Sequence, residues 1–335
     1  MKQKNLIIIA AALVVVLIGL LIIAGNLDQH NGPVSVESQP TDPVTGPSSE
    51  PTTEPSSEPT QEPTSEPTTE PTVEPTEEPT TAPTTAPSTP SVNGSEMIGS
   101  LYTRQELENM ENVNKGYGPG TASNGNRAPY AVNNQAAYGQ YGGNFIGPDN
   151  NCIYLTFDCG YEYNNLTTDI LNTLKEKNVK AVFFVTMQFV KQHPELVQRM
   201  IDEGHAVGNH TVHHPVMTSL TIDKMVSEVM ELHDYVLEKF GYKMTLFRPP
   251  TGAFSTRTLA VVQSLGYKNV HWSFAYADWD TANQPAPDKA LKTITERHHS
   301  GAIYLLHAVS STNAAVLGDA IDFFLAQGYQ LELFQ

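Results

Sequence analysis

The chain has 335 residues, two cysteines and a formal net charge of -17. That composition excludes a disulfide-stapled small scaffold and a basic nucleic-acid binder, so no nucleic-acid partner is expected. The charge is uneven: 11 acidic residues and no Lys or Arg lie between Glu37 and Glu78, whereas 17 basic and 23 acidic residues follow from Met97 onward.

Leu6 to Ala24 is an uninterrupted apolar run of 19 residues. As a helix it spans about 29 Å, the hydrocarbon thickness of a bilayer. Lys2 and Lys4 precede it and Asp28 follows, so the positive-inside rule keeps the N-terminus cytoplasmic and exports the rest. A cleaved signal peptide is the rival reading. The length of the run and the lack of a small-x-small cleavage site favour an uncleaved single-pass anchor over residues 1–30. Residues 31–96 form a linker. Of 24 prolines, 15 lie between Pro33 and Pro90, and from Pro47 to Pro87 they recur every fourth residue. Proline lacks the N–H donor of helix and ladder, and too little apolar surface is present to form a core. A disordered, polyproline-like stalk is expected, suited to holding a domain off a membrane and near a cell wall. Residues 97–150 read as an irregular lead-in that wraps the next domain, with Thr103, Gln105 and Glu106 opening a short helix.

From residue 151 to 335 the pattern becomes globular. Strands are expected at Ile153–Phe157, Ala181–Val185, Ala206–Gly208, Leu246–Arg248, Asn269–Phe274, Ala302–Leu306 and Tyr329–Phe334. Helices are expected at Thr168–Lys177, Pro194–Glu203, Thr221–Phe240, Thr256–Leu265, Pro287–His298 and Ala314–Gln327. This alternation predicts an α/β fold with a mostly parallel sheet, open or closed into a barrel. Cys152 and Cys159 sit on and just after one strand, an odd number of residues apart, so their side chains face opposite ways and do not pair.

Ionisable residues cluster just after the strands: Asp158, His210 and His214, Arg248, Asp278 and His307. In α/β folds that edge of the sheet carries the site. All but one of the 11 histidines fall between His193 and His307. His210 and His214 are four apart, so on one helical turn both rings face a common point. Neutral imidazoles suit zinc and related divalent metals; a pair of solvated turn histidines is the alternative.

At these residues the sequence resembles the polysaccharide deacetylase family, the NodB-homology or carbohydrate esterase 4 domain. Thr156-Phe157-Asp158-Cys159-Gly160 resembles the first family motif and His210-Thr211-Val212-His213-His214-Pro215 the second. Arg248-Pro249-Pro250-Thr251-Gly252, Asp278-Trp279 and Leu305-Leu306-His307 resemble the third, fourth and fifth, in family order. The stretches TFDCGYE (Thr156–Glu162), EGHAVGNHTVHHP (Glu203–Pro215), RPPTGAFSTRTL (Arg248–Leu259) and LLHAVS (Leu305–Ser310) are similar to the branch that deacetylates N-acetylmuramic acid in bacterial peptidoglycan toward muramic δ-lactam.

The resemblance implies a deformed (β/α) barrel and hydrolysis of an N-acetyl group on an amino sugar. It implies a divalent metal, zinc favoured, held by His210 and His214. Asp158 is then the general base, paired with Arg248, and His307 the general acid, oriented by Asp278. The backbone near Thr251 helps hold the oxyanion, Trp279 and Leu305 line a slot for the acetyl methyl or a sugar face, and Tyr161 and Glu162 contact the glycan. The family usually has a second Asp after the first, and the muramic branch an Asn; this chain has Cys159. That residue has three readings: a thiolate ligand, a neighbour of the metal that does not bond it, and a small buried residue. The implied partners are peptidoglycan glycan strands, with the membrane reached through the N-terminal helix. No protein partner follows. Two rivals stand beside this reading: a deacetylase of N-acetylglucosamine or chitin-like glycan, and a wall-binding module made inactive by Cys159.

Overall fold

β2 (Cys152–Cys159) organises the domain, because its eight residues are buried on both faces. Such strands require cover above and below, the condition of a parallel sheet flanked by helices. The computed structural model describes residues 101–335 except Asn124. The expected membrane anchor and the Pro/Thr/Glu-rich linker lie outside the described residues. Among the described residues no helix is long and apolar enough to cross a membrane.

Among the described residues eight parallel strands form one sheet. β1 (Gly143–Asn144), β3 (Val182–Val185), β4 (Ala206–Asn209), β5 (Leu246–Phe247), β6 (Lys268–Val270) and β7 (Ala302–His307) join β2 in the order β1-β6-β5-β4-β3-β2-β7, and β8 (Gln330–Leu331) pairs with the start of β2. Beyond β6 the chain meets β7, where Phe274 bridges Tyr304 and Leu305 N donates to Phe274 O at 2.9 Å. The sheet therefore curls into a half-barrel.

Alternation along β2 sorts the core into two. Ile153, Leu155, Phe157 and Cys159 point outward, into an apolar layer shared with α3 (Leu166–Glu176), α5 (Pro194–Asp202), α6 (Ile222–Phe240), α7 (Thr256–Ser264) and α9 (Ser311–Ala326). Cys152 and Tyr154 point inward with Val182, Phe184, Leu246, Val270, Ile303 and Leu305. The two cysteines thus lie on opposite faces and are both free, as their odd separation requires. α8 (Pro287–Glu296) completes the outer layer, burying Ala290 and Ile294.

The lead-in is part of this domain. Thr103 caps α1 (Arg104–Asn109) in a capping box with Glu106. α2 (Pro129–Tyr138) and β1 were not expected; the segment is rich in Gly, Asn, Tyr and Ala and carries no helical stripe. β1 forms the edge of the sheet through Gly143 and Asn144 opposite Asn269 and Val270, so the sheet extends across the expected boundary at 150/151. Further on, Lys115 N donates to Phe254 O at 2.8 Å, and Tyr117 O–H to Trp272 O at 2.6 Å. A short helix α4 (Met187–Gln192), capped by Thr186, also went unforeseen.

Candidate active site

Asp158, at the carboxyl end of β2, faces the barrel interior. Its Oδ1 accepts from Arg248 Nη1 at 2.8 Å, and its Oδ2 lies 3.6 Å from His210 Nε2. Arg248 follows β5 and is wholly buried. Its Nη2 donates to Thr156 Oγ1 at 2.7 Å and His271 O at 3.2 Å, and its Nε to Val270 O at 3.1 Å. The guanidinium carbon lies 4.2 Å from the centre of the Phe184 ring, a cation–π contact. That ring has room because Gly208, on the next strand, has no side chain; a Cβ there would stand 2.4 Å from it.

Burial alone would raise the Asp158 pKa, but the Arg248 charge, then His210 and His307, hold it below the usual carboxylate range. Burial draws the Arg248 guanidinium downward against the pull of Asp158, yet an arginine stays cationic in a protein. The pair is therefore ionised on both sides.

His210 is held by its other nitrogen: Nδ1 lies 2.8 Å from Arg248 O. A carbonyl only accepts, so Nδ1 carries the proton and the Nε2 lone pair faces Asp158. Burial pushes its pKa down to about 4, which keeps the ring neutral near pH 7. The His214 ring is 4.8 Å away, and burial lowers its pKa also.

Among the described residues no group of three or more His, Cys, Asp or Glu side chains forms a ready ligand set for a divalent metal. His210 nevertheless has the donor chemistry: neutral, with its second nitrogen on a backbone carbonyl, as metal-bound histidines characteristically are. The His214 ring lies 4.8 Å from the His210 ring, centre to centre, and both line the cleft. His210 and His214 fit the group; Cys159 does not line the cleft. It is packed in the outer core beside Phe157 and Val185, and burial, then Asp158 and Glu162, push its thiol pKa up. Its packing matches the small buried residue among its three readings.

The facing group is built on β7, which ends at His307. His307 Nδ1 lies 2.7 Å from Asp278 Oδ1, and His307 N donates to Asp278 Oδ2 at 2.8 Å. Asn313 Nδ2 donates to the same Oδ2 at 2.6 Å and to His307 O at 3.2 Å. Burial pulls the His307 pKa down, but the hydrogen bond and charge of Asp278, with Asp158, outweigh it and the pKa is raised.

A cleft of about 1250 Å³ opens over these groups and is lined by Asp158, His210, His214 and His307 as well as Tyr161, Thr251, Trp279 and Leu305. Thr251 has φ 59° in the turn Pro250–Gly252, and Gly252 has φ 71° with Trp272 packed where a Cβ would stand. Trp279 is 59% exposed, its ring 6.1 Å from His307. Glu162, expected at the glycan, is the exception. It is absent from the cleft wall, and its Oε1 accepts from Thr167 N at 3.4 Å, at the start of α3, a helix N-terminus that favours a carboxylate. His213 also lines the cleft.

Three contributors went unforeseen as site residues. Thr156 supports Arg248, Asn313 supports Asp278 and His307, and Tyr117–Pro119 of the lead-in form part of the cleft wall. Asn313 carried one faint signal, its place three residues after Ser310, whose hydroxyl accepts from Asn313 N at 3.0 Å and caps α9.

A half-barrel whose rim sets an ionised carboxylate across from a proton-bearing imidazole, beside two neutral imidazoles, is the frame of a hydrolase working by acid–base catalysis. The polysaccharide deacetylase family model matches residues 146–270. The peptidoglycan-N-acetylmuramic acid deacetylase PdaA of Bacillus subtilis (strain 168) is 46% identical over 178 residues, 53% of this chain and 67% of that protein. A solved structure of Bacillus subtilis PdaA, described as a family 4 carbohydrate esterase, superposes with a TM-score of 0.63 and 38% identity over 66% of this chain and 94% of that one. The peptidoglycan-N-acetylglucosamine deacetylase PgdA of Listeria monocytogenes (strain 10403S) is 36% identical over 182 residues, 54% of this chain and 37% of that protein. The chain belongs to the polysaccharide deacetylase family.

Proposed function

We propose that the protein is a metal-dependent de-N-acetylase of peptidoglycan, with N-acetylmuramic acid its favoured sugar and muramic δ-lactam the destination of its product. One observation carries the reading: Asp158 is held ionised by Arg248 on one side of the cleft while His307 is held proton-bearing by Asp278 on the other. The 46% identity to a muramic acid deacetylase supports the choice of sugar, and 36% identity to a glucosamine deacetylase makes that sugar the alternative.

In this reading His210 and His214 hold a divalent ion, zinc favoured, which polarises the acetamide carbonyl when bound. Asp158 takes the proton of the attacking water through its Oδ2, while Arg248 fixes Oδ1. The left-handed turn at Thr251 offers its backbone N–H to the developing oxyanion. His307 gives its Nε2 proton to the leaving amine, because Nδ1 is engaged by Asp278. Trp279 and Leu305 form the apolar frame for the acetyl methyl or the sugar face, and Tyr161 adds an aromatic surface. The domain works on the extracytoplasmic side, near the cell wall, tethered by the apolar run at the N-terminus and spaced by the proline-rich linker.

The test uses the full-length protein with purified glycan strands, with and without stem peptides, in chelator or added zinc, followed by digestion and mass analysis of the muropeptides. Acetyl loss on the muramoyl residue that chelator abolishes is expected. Loss confined to glucosamine refutes the sugar. No loss with any metal, with glycan binding retained, leaves the inactive binding module.

A further inference from the structure

The loop that presents His210 and His214 is conformationally unusual. Thr211 has φ 72° and His214 φ 56°. A β-branched residue in the left-handed region is a genuine outlier, and it persists only where its surroundings over-determine it. Part of the restraint is local: Asn209 Oδ1 accepts from Thr211 N at 2.9 Å, and Thr211 Oγ1 accepts from His214 N at 2.9 Å. From outside the loop Met187 N donates to Thr211 O at 3.2 Å, and the outer half is held by one side chain. Glu228 Oε2 accepts from two successive backbone groups, Val212 N at 3.1 Å and His213 N at 2.9 Å. Its Oε1 lies 2.8 Å from His213 Nδ1, and its backbone oxygen also accepts from Val212 N, at 3.2 Å.

Glu228 sits in the middle of α6, whose Met225, Val229 and Leu232 are fully buried. It therefore ties the outer arc of the loop to a rigid element. The two histidines are not anchored alike. His210 is fixed directly, through Arg248 O; the placement of His214 follows from the loop, and the loop's outer half is clamped by Glu228.

We propose that Glu228 is a positioning residue that sets the mutual placement of His210 and His214 and so the affinity of the site for a divalent metal. The inference rests on the reading of those two histidines as metal ligands. It also gives His213 a role, as the third contact of the clamp.

The test is metal binding by the full-length protein: zinc affinity by competition with a chromophoric chelator, and the visible spectrum of bound Co²⁺. Glu228→Ala is expected to weaken zinc binding roughly 10–100-fold and to alter the Co²⁺ spectrum, the scale seen when outer supports of metal ligands are removed. Glu228→Gln, which still accepts from both backbone N–H groups, should keep zinc affinity within about threefold and the wild-type spectrum. Glu228→Asp, too short to span the gap, should behave as the alanine variant does, and decides the matter if the alanine variant fails to fold. Wild-type affinity and an unchanged spectrum in Glu228→Asp or Glu228→Ala overturn the proposal, as does a lower Tm with metal binding unmoved. Absence of zinc binding by the wild-type protein defeats the metal reading itself and is seen before any variant is made.

Discussion

Arg248→Met is the sharpest probe of the Asp158 side. Methionine keeps much of the arginine's length and none of its charge. The change leaves Asp158 buried without its 2.8 Å partner and strips donors from Thr156 Oγ1, Val270 O and His271 O. Removing one member of a buried ion pair costs about 3–5 kcal/mol, and the stranded acceptors place this case at the upper end. The loss should depend on pH. In the wild type, the folded pKa of Asp158 lies below its unfolded value. The pair's stabilisation is therefore fully present above the unfolded pKa and fades as pH falls through the folded one. In the variant, burial is left as the governing influence, the folded pKa moves above the unfolded one, and the penalty disappears as the buried carboxyl takes up a proton. The stability gap between wild type and variant is thus largest near pH 7 and narrows toward about pH 4.5. Urea unfolding at a series of pH values measures it, with Trp272, whose ring centre is 5.7 Å from the guanidinium carbon, as reporter. The double variant Asp158→Asn with Arg248→Met, which buries no unpaired charge, should recover roughly 2–3 kcal/mol. A gap below about 1 kcal/mol, or one equal at pH 4.5 and 7.5, would refute the reasoning.

Three further outcomes are expected. Asp278→Asn removes a charged hydrogen bond of about 1.5–3 kcal/mol, so kcat should drop roughly 10–100-fold. If His307 is the general acid proposed above, the alkaline limb of the pH–rate profile should also move to lower pH; an unmoved limb would separate His307 from acid catalysis. Gly252→Ala puts a Cβ 2.4 Å from the Trp272 ring at a φ of 71°, so a stability loss of about 1–3 kcal/mol in urea is expected, and wild-type stability would contradict that packing. Cys159→Ser buries a hydroxyl where the thiol packs, at a cost of about 1–3 kcal/mol, while zinc affinity stays within about threefold; a loss nearer a hundredfold would make the thiolate a ligand.

What could be read from the sequence followed from period and position. The apolar runs of β2, β3 and β7 and the stripes of α3, α5 and α6 are strong signals, and the groups that follow the strands all reach one rim. Glu162 was misplaced because adjacency to Asp158 says nothing of direction: the chain turns there, and the Thr167 N–H in the first turn of α3 takes one carboxylate oxygen. α2 was missed because its ten residues, with only Ala131 and Asn134 buried, show no apolar stripe. β1 was missed because two residues have no period. Asn313 and Glu228 belong to helices whose faces read as ordinary, and their meaning depends on strands and loops distant in the chain.

The two ends of the cleft solve opposite problems with the same kind of device. A catalytic base must be ionised and an acid protonated at one pH, so their surroundings must push the two groups apart. Burial opposes both aims here, since it disfavours the charged form of Asp158 and of His307 alike. Each is rescued by a partner of opposite charge that is more deeply buried than itself: Arg248 is 0% exposed beside Asp158 at 8%, and Asp278 is 1% exposed beside the half-buried His307. The partners lie behind, and Asp158 and His307 themselves line the cleft. The partners are in turn fixed by groups that move no proton, Thr156 and the carbonyls of Val270 and His271 for Arg248, Asn313 and the His307 backbone for Asp278. A substitution in that supporting layer should therefore change rate and pH profile before it changes substrate affinity, whereas one at Trp279 or Tyr161 should act on KM first.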